Sequence, residues 1–186
     1  MKLRRIITFA FAVAICGGAW WFYYQWREHR EDAVIRAAAA RYGVEPALVK
    51  AVMWQESWFN PGARGGHGEL GLMQITGAAA GEWAEAEGVE NFRPEHLLNP
   101  ATNAVAGTFY LAKLLRRYPR TDNPLPYALA DYNAGRTRVL HWGSGAAATN
   151  SAAFLERMDF PGTKKYIQSI MRRRLHYLPE FVGEEK

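Results

Sequence analysis

Between Arg5 and Arg27 the chain carries no charge, and Ile6 to Trp26 is apolar apart from Thr8, Gln25 and a few small residues. No other feature restricts the fold as much. At about 1.5 Å per helical residue, such a segment crosses a hydrocarbon core of roughly 30 Å. Lys2, Arg4 and Arg5 precede it, while Trp20, Trp21, Phe22, Tyr23, Tyr24 and Trp26 crowd its far end. Amphipathic rings sit well at a membrane interface, and basic residues stay on the cytoplasmic side. The segment therefore predicts a single-pass membrane helix with the N-terminus in the cytoplasm and the remainder of the chain exported. Two other readings compete: Gly17-Gly18-Ala19 fits a cleavable signal, and Val13-Ala14-Ile15-Cys16 resembles a lipidation signal. Ile15 stands where the latter pattern wants a small residue. All three readings export the rest of the chain.

The 186 residues suit one domain plus appendages, and 49% hydrophobic residues suffice for a real core. A single cysteine excludes a disulfide framework and a multi-cysteine zinc site. Lysine and arginine number 23 against 18 acids, a formal charge of +5. Three of those positive charges orient the apolar segment, so the rest is close to neutral. Without an organised basic-aromatic surface, nucleic-acid binding has no support.

From Glu28 onward the pattern is helical, with no convincing alternating strand series. Helices are expected over Glu28–Tyr42, from Glu45-Pro46 towards Trp58, and over Gly77–Glu87, Pro100–Tyr118 and Pro124–Ala134. Two more are expected over Asn150–Met158 and Thr163–Tyr177, with a short turn over Thr137–Trp142 and a surface loop over Gly143–Ser151. Gly62–Gly71 reads as a loop with room for a small hairpin. The expected organisation is a basic segment 1–5, a membrane span or signal 6–26, a connector 27–36, a mainly α domain 37–179 and a tail 180–186.

One acid stands out. Glu56 lies a heptad from Val49, four residues from Val52 and three from Met53, on the apolar face of its helix. Desolvation favours the neutral carboxyl, and the C-terminal end of the helix dipole acts the same way. A carboxylic acid kept protonated near neutral pH suits general acid work on a glycosidic oxygen. A core glutamate paired with an arginine is the competing explanation at this point.

The stretch Ala47 to Pro61, with Glu56-Ser57, resembles the catalytic segment of exported lytic transglycosylases in the goose-type lysozyme superfamily. Gly71-Leu72-Met73-Gln74-Ile75, Asp131-Tyr132-Asn133-Ala134-Gly135 and Thr163-Lys164-Lys165-Tyr166-Ile167 continue the resemblance in the family's order. The resemblance implies a lysozyme-like, mainly α fold and a peptidoglycan substrate without a cofactor. It implies that Glu56 protonates the bond between N-acetylmuramic acid and N-acetylglucosamine. Glu56 would then take the proton of the muramoyl C6 hydroxyl as that group attacks its own anomeric carbon, leaving a 1,6-anhydro end. An internal nucleophile explains why one carboxylate suffices where ordinary glycosidases use two. Met73, Gln74, Tyr132 and Asn133 would line the cleft, and Tyr166 would orient Glu56.

Three positions depart from the family pattern. Asp131 replaces an alanine, as a solvated residue or an extra charge near the cleft. Gly162 stands where glutamate is common. Glu69 occupies a loop position that is small in many relatives, either solvated or facing the scissile bond as a second carboxylate. In the latter case a hydrolytic muramidase becomes the alternative, and a non-catalytic peptidoglycan-binding scaffold is a further one. The five histidines show no metal-ligand spacing, so no metal site is expected. Arg172-Arg173-Arg174 makes a basic helix surface suited to solvent, anionic stem peptides or lipid headgroups. Wall turnover and local wall opening for an envelope-spanning complex are both compatible roles.

Overall fold

The computed structural model describes residues 2–182, and the final acidic tail residues lie outside them. Helix α1, Lys2–His29, holds the whole charge-free segment in one run about 40 Å long. Its apolar window has a mean hydropathy of 1.7, and none of that window is buried against protein. A core helix would cover one face. Here Ile6, Phe9, Phe11, Trp20 and Phe22 are all more than half exposed, so the helix is long and apolar enough to cross a membrane and its apolar window packs no face against the domain.

Helix α2, Asp32–Tyr42, begins after a break at Arg30-Glu31, where an unbroken helix from Glu28 was expected. Tertiary partners explain the break. Arg30 donates to the Phe59 carbonyl at 3.1 Å and pairs with Glu31 at 3.0 Å. Gly43, with φ 65°, ends α2 by returning its N–H to Ala39. Pro46 then opens α3, Pro46–Ser57, and Ala47 to Met53 are buried along it.

Two short strands come next, β1 (Glu69–Leu70) and β2 (Ile75–Thr76), antiparallel with Glu69 opposite Thr76 and Leu70 opposite Ile75. The hairpin thus straddles Gly71-Gln74 and takes its second strand from beyond the expected loop. Thr76 caps α4, Gly77–Ala86, by accepting from the Ala79 N–H. A 3-10 turn over Pro94–Leu98, unforeseen in the sequence, leads into α5, Pro100–Arg117. Then come α6 (Pro124–Ala134), α7 (Arg136–Trp142), α8 (Ser151–Arg157) and α9 (Pro161–Phe181). The expected loop after Trp142 contains a further 3-10 turn, Gly145–Ala148, because Ala147 is buried and its carbonyl accepts from Tyr127.

Two apolar cores result. The larger one, from α2, α3, α5, α6 and α9, includes Val49, Val52, Met53, Leu111, Tyr127 and Ile167. The smaller one lies under the hairpin, where Leu70, Ile75, Trp83 and Leu97 meet Ala106. Helix α5 serves both cores, and the end of α3 meets the hairpin at the seam between them.

Candidate active site

Glu56 sits in the last turn of α3, behind Val49, Val52 and Met53, all of which are fully buried. The helix stops abruptly. Trp58 and Phe59 both take positive φ, 56° and 58°, which costs a side-chain-bearing residue of order 1 kcal/mol each. Tertiary contacts hold them there. Phe59 is buried, and Trp58 meets the Tyr24 ring edge-on at 5.8 Å with the Arg27 guanidinium 5.5 Å from its centroid. The end of α1 therefore packs directly on the turn just after Glu56.

Ser57 ties the same turn to the hairpin, its Oγ donating to the Leu72 carbonyl at 2.7 Å. The loop from Gly71 to Gln74 is fixed from below by Asn103 on α5. Its Nδ2 donates to the Leu70 and Leu97 carbonyls at 2.8 Å each, and its Oδ1 accepts from the Met73 N–H at 2.8 Å. A Cβ at Gly71 would stand 2.3 Å from that amide, and its φ of 72° also favours glycine. Sequence reasoning missed Asn103. The available signal was a polar residue on the α5 stripe of Gly107 and Leu111.

Met73, expected as a wall of the cleft, is instead fully buried, with its thioether in the space that Gly107 leaves by lacking a Cβ. What Met73 offers the site is its carbonyl, which accepts from the Tyr132 hydroxyl at 2.7 Å. Gln74 does reach the cleft. Its φ is 45°, and its Nε2 donates to the Gly71 carbonyl at 2.9 Å.

Glu56, Glu69, Gln74, Tyr132 and Asn133 line one cleft of about 280 Å3, together with Gly65, Gly66 and His67. Tyr166, from α9, donates to Glu56 Oε1 at 2.5 Å, so the partner of this acid is a hydroxyl. Burial pushes the Glu56 pKa from its usual 4.5 to about 7, against the Tyr166 hydrogen bond, which lowers it. The Glu69 charge adds to the rise. Tyr166 and Tyr132 are themselves held far above the usual phenol range, first by burial and then by the Glu56 charge, so both remain donors.

Glu69 faces the cleft from β1, and its own carboxylate is held low. Backbone N–H groups at Glu69 and His67 stabilise its charge, the His67 N–H lying 2.9 Å from Oε2. A Cβ at Gly65 would collide with Glu69 Oε2 at 2.3 Å, so the glycine makes room for this acid. Asn133 accepts at Oδ1 from Thr163 Oγ1, at 2.8 Å, which links the α6 motif to the start of α9.

Asp131 is neither solvated nor in the cleft. It is 3% exposed and accepts from Arg117 and Tyr118 at 2.6 Å each, bracing α6 against α5. Gly162 sits in the second position of α9, and a Cβ there would meet nothing within 4 Å. His29, Asp32 and Glu180 form a group of metal-ligating type, yet they close around the fully buried Lys50. Its Nζ lies 2.8 Å from Asp32, 2.6 Å from Glu180 and 3.1 Å from His29 Nδ1.

A family model described as the Transglycosylase SLT domain matches residues 33–155, about two thirds of the chain. The chain belongs to this family. The chain is 32% identical over 145 residues to the soluble lytic murein transglycosylase of Salmonella typhimurium, covering 77% of this chain and 22% of that protein. It is 37% identical over 120 residues to the membrane-bound lytic murein transglycosylase C of Yersinia enterocolitica, covering 61% and 34%. An inactive mutant of the lytic transglycosylase Slt from Pseudomonas aeruginosa superposes with a TM-score of 0.73 at 26% identity, covering 80% and 24%. The 70 kDa soluble lytic transglycosylase of Escherichia coli gives 0.72 at 26%, covering 82% and 24%. The lysozyme-like, mainly α fold with its small hairpin is thus shared. The chain spans only about a fifth to a third of the length of these relatives.

Proposed function

We propose that this SLT domain is a peptidoglycan lytic transglycosylase, held by α1 as a single-pass anchor with the domain on the periplasmic side of the inner membrane. The observation that carries the chemistry is a largely buried Glu56 whose pKa stands near 7 and whose partner is the Tyr166 hydroxyl. With Oε1 engaged by Tyr166, the protonated Oε2 is free for the glycosidic oxygen. As that oxygen takes the proton, the Tyr166 hydrogen bond strengthens onto the developing carboxylate. The carboxylate then accepts the proton of the muramoyl C6 hydroxyl, which closes on the anomeric carbon and leaves an anhydro end. Gln74, Tyr132 and Asn133 position the sugars, and Met73 acts indirectly by holding Tyr132. Relatives named as lytic murein transglycosylases support this reading. The role is wall turnover or local wall opening for an envelope-spanning complex.

One observation favours a second reading. Glu69 is an ionised carboxylate in the same cleft, close enough for its charge to raise the Glu56 pKa. Such a pair could activate water and release a reducing end, as a muramidase does. Digestion of purified sacculi, with sugar ends identified by mass spectrometry, tests both. Anhydro ends that vanish with Glu56→Gln support the transglycosylase, with a fall of at least about 10^3-fold. Reducing ends would transfer the assignment to the muramidase. Binding with neither product would leave a scaffold.

A further inference from the structure

The anchor helix does not lead into the domain through a slack connector. Besides the Tyr24–Trp58 and Arg27–Trp58 contacts, Tyr177 on α9 donates to Glu28 at 2.5 Å, and Arg30 donates to the Phe59 carbonyl. Glu28 and Glu31 are both buried, and Lys50 locks Asp32 to Glu180. The aromatic end of the span is therefore built into the base of α3. Trp58 is two residues from Glu56, so their Cα atoms lie within about 8 Å of one another. The reacting acid is held a short, fixed distance above the interfacial rings.

Concave surface extends from the cleft along α9 towards the end of the span. Asn133 borders both the catalytic cleft and a groove of about 800 Å3 that runs along α9 past Lys165 and Gln168. Ser169 and Arg172 carry the groove into a second concavity of about 360 Å3, shared with Arg173, His176 and Trp54. The concavity ends at Trp54, which also lines a small recess of about 10 Å3 with Trp20, Tyr24, Arg27 and Glu28 at the end of the span. Among the described residues, the charged ones that line the two α9 concavities are Lys165, Arg172 and Arg173, with no carboxylate. Such a lining favours an anionic polymer.

We propose that the substrate is a glycan strand still attached to the bilayer by an anionic lipid, lying along α9 so that Glu56 cuts at a set height above the membrane. The inference rests on reading the domain as a membrane-anchored transglycosylase. Carboxylates of the stem peptides and the phosphates of the lipid are the anions that Arg172 would meet.

The test uses the full chain reconstituted in vesicles with lipid-linked glycan strands, reading the fragments left on the lipid. The wild type should leave short fragments of narrow length distribution. A 30-residue Gly-Ser insertion between Trp26 and Arg27 adds about 30 Å of slack, and should broaden and lengthen them. Arg172→Glu should slow cleavage of attached strands about tenfold at unchanged helical content. Loss of that Arg172 effect on strands stripped of stem peptides identifies the carboxylates, and its persistence identifies the lipid phosphates. Identical fragment distributions for wild type and insertion, or an undiminished rate for Arg172→Glu, would overturn the inference. Anhydro ends absent from vesicles and sacculi alike would overturn the transglycosylase reading itself.

Discussion

Glu56 on α3 and Asp131 on α6 are both carboxyls withdrawn from water, and they are compensated in opposite ways. Asp131 has a guanidinium and a phenol at 2.6 Å, so its charge is answered where it sits. Glu56 has the Tyr166 hydroxyl and, among the described residues, no ion pair. Burial without a cation raises its pKa to about 7, and the Glu69 charge pushes further the same way. The difference teaches that a buried carboxyl becomes a usable acid through what is withheld from it. A cation makes it a brace.

The largest expected effect is on stability, with opposite signs at the two sites. Asp131→Asn leaves Arg117 without its counter-charge and should cost about 3 kcal/mol, with little change in activity per folded molecule. Glu56→Gln should do the reverse at high pH. The folded pKa of Glu56 lies above its unfolded one. Its favourable state is complete below about 4.5 and lost as pH rises through about 7. The substitution should therefore stabilise by about 3 kcal/mol at pH 8 and by almost nothing at pH 4. Denaturant titrations at the two pH values check both variants. Equal responses at the two sites would break the comparison.

Activity should show the same contrast in its pH profile. Cleavage needs Glu56 protonated, so kcat/KM should fall as pH rises through about 7. Tyr166→Phe removes the hydrogen bond that favours the carboxylate, which moves this limb to higher pH. It should also cost about tenfold in kcat, since a hydrogen bond to a charged group is worth about 1.5 kcal/mol or more. The smallest effect belongs to Glu69→Gln, which removes a neighbouring charge and should draw the limb to lower pH. If Glu69 activates water, the same variant lowers the share of reducing ends. An unchanged product ratio removes that role.

Much of the site was legible because its residues carry chemistry that their surroundings contradict. Glu56 is an acid on an apolar face, and Gly71 and Pro46 punctuate as their backbone roles require. Less legible were residues whose importance lies in their partners. Asn103 reads as a helix polar residue until three backbone groups from two other segments converge on its amide. Met73 sits in the loop motif yet turns away from the cleft, because the missing Cβ of Gly107 opens a cavity for its sulfur. Asp131 stands at the edge of a site motif, and its environment depends on Arg117, fourteen residues earlier on another helix.

By itself the sequence determined a charge-free span, a helical domain and one anomalous acid, because period, punctuation and charge are local properties. Only the tertiary structure decided which carboxyl lacks a cation and which residues face the cleft. It also decided that α1 ends against the turn after Glu56. Those depend on contacts between residues far apart in the chain, such as Tyr166 with Glu56 and Glu28 with Tyr177, and no local pattern encodes them.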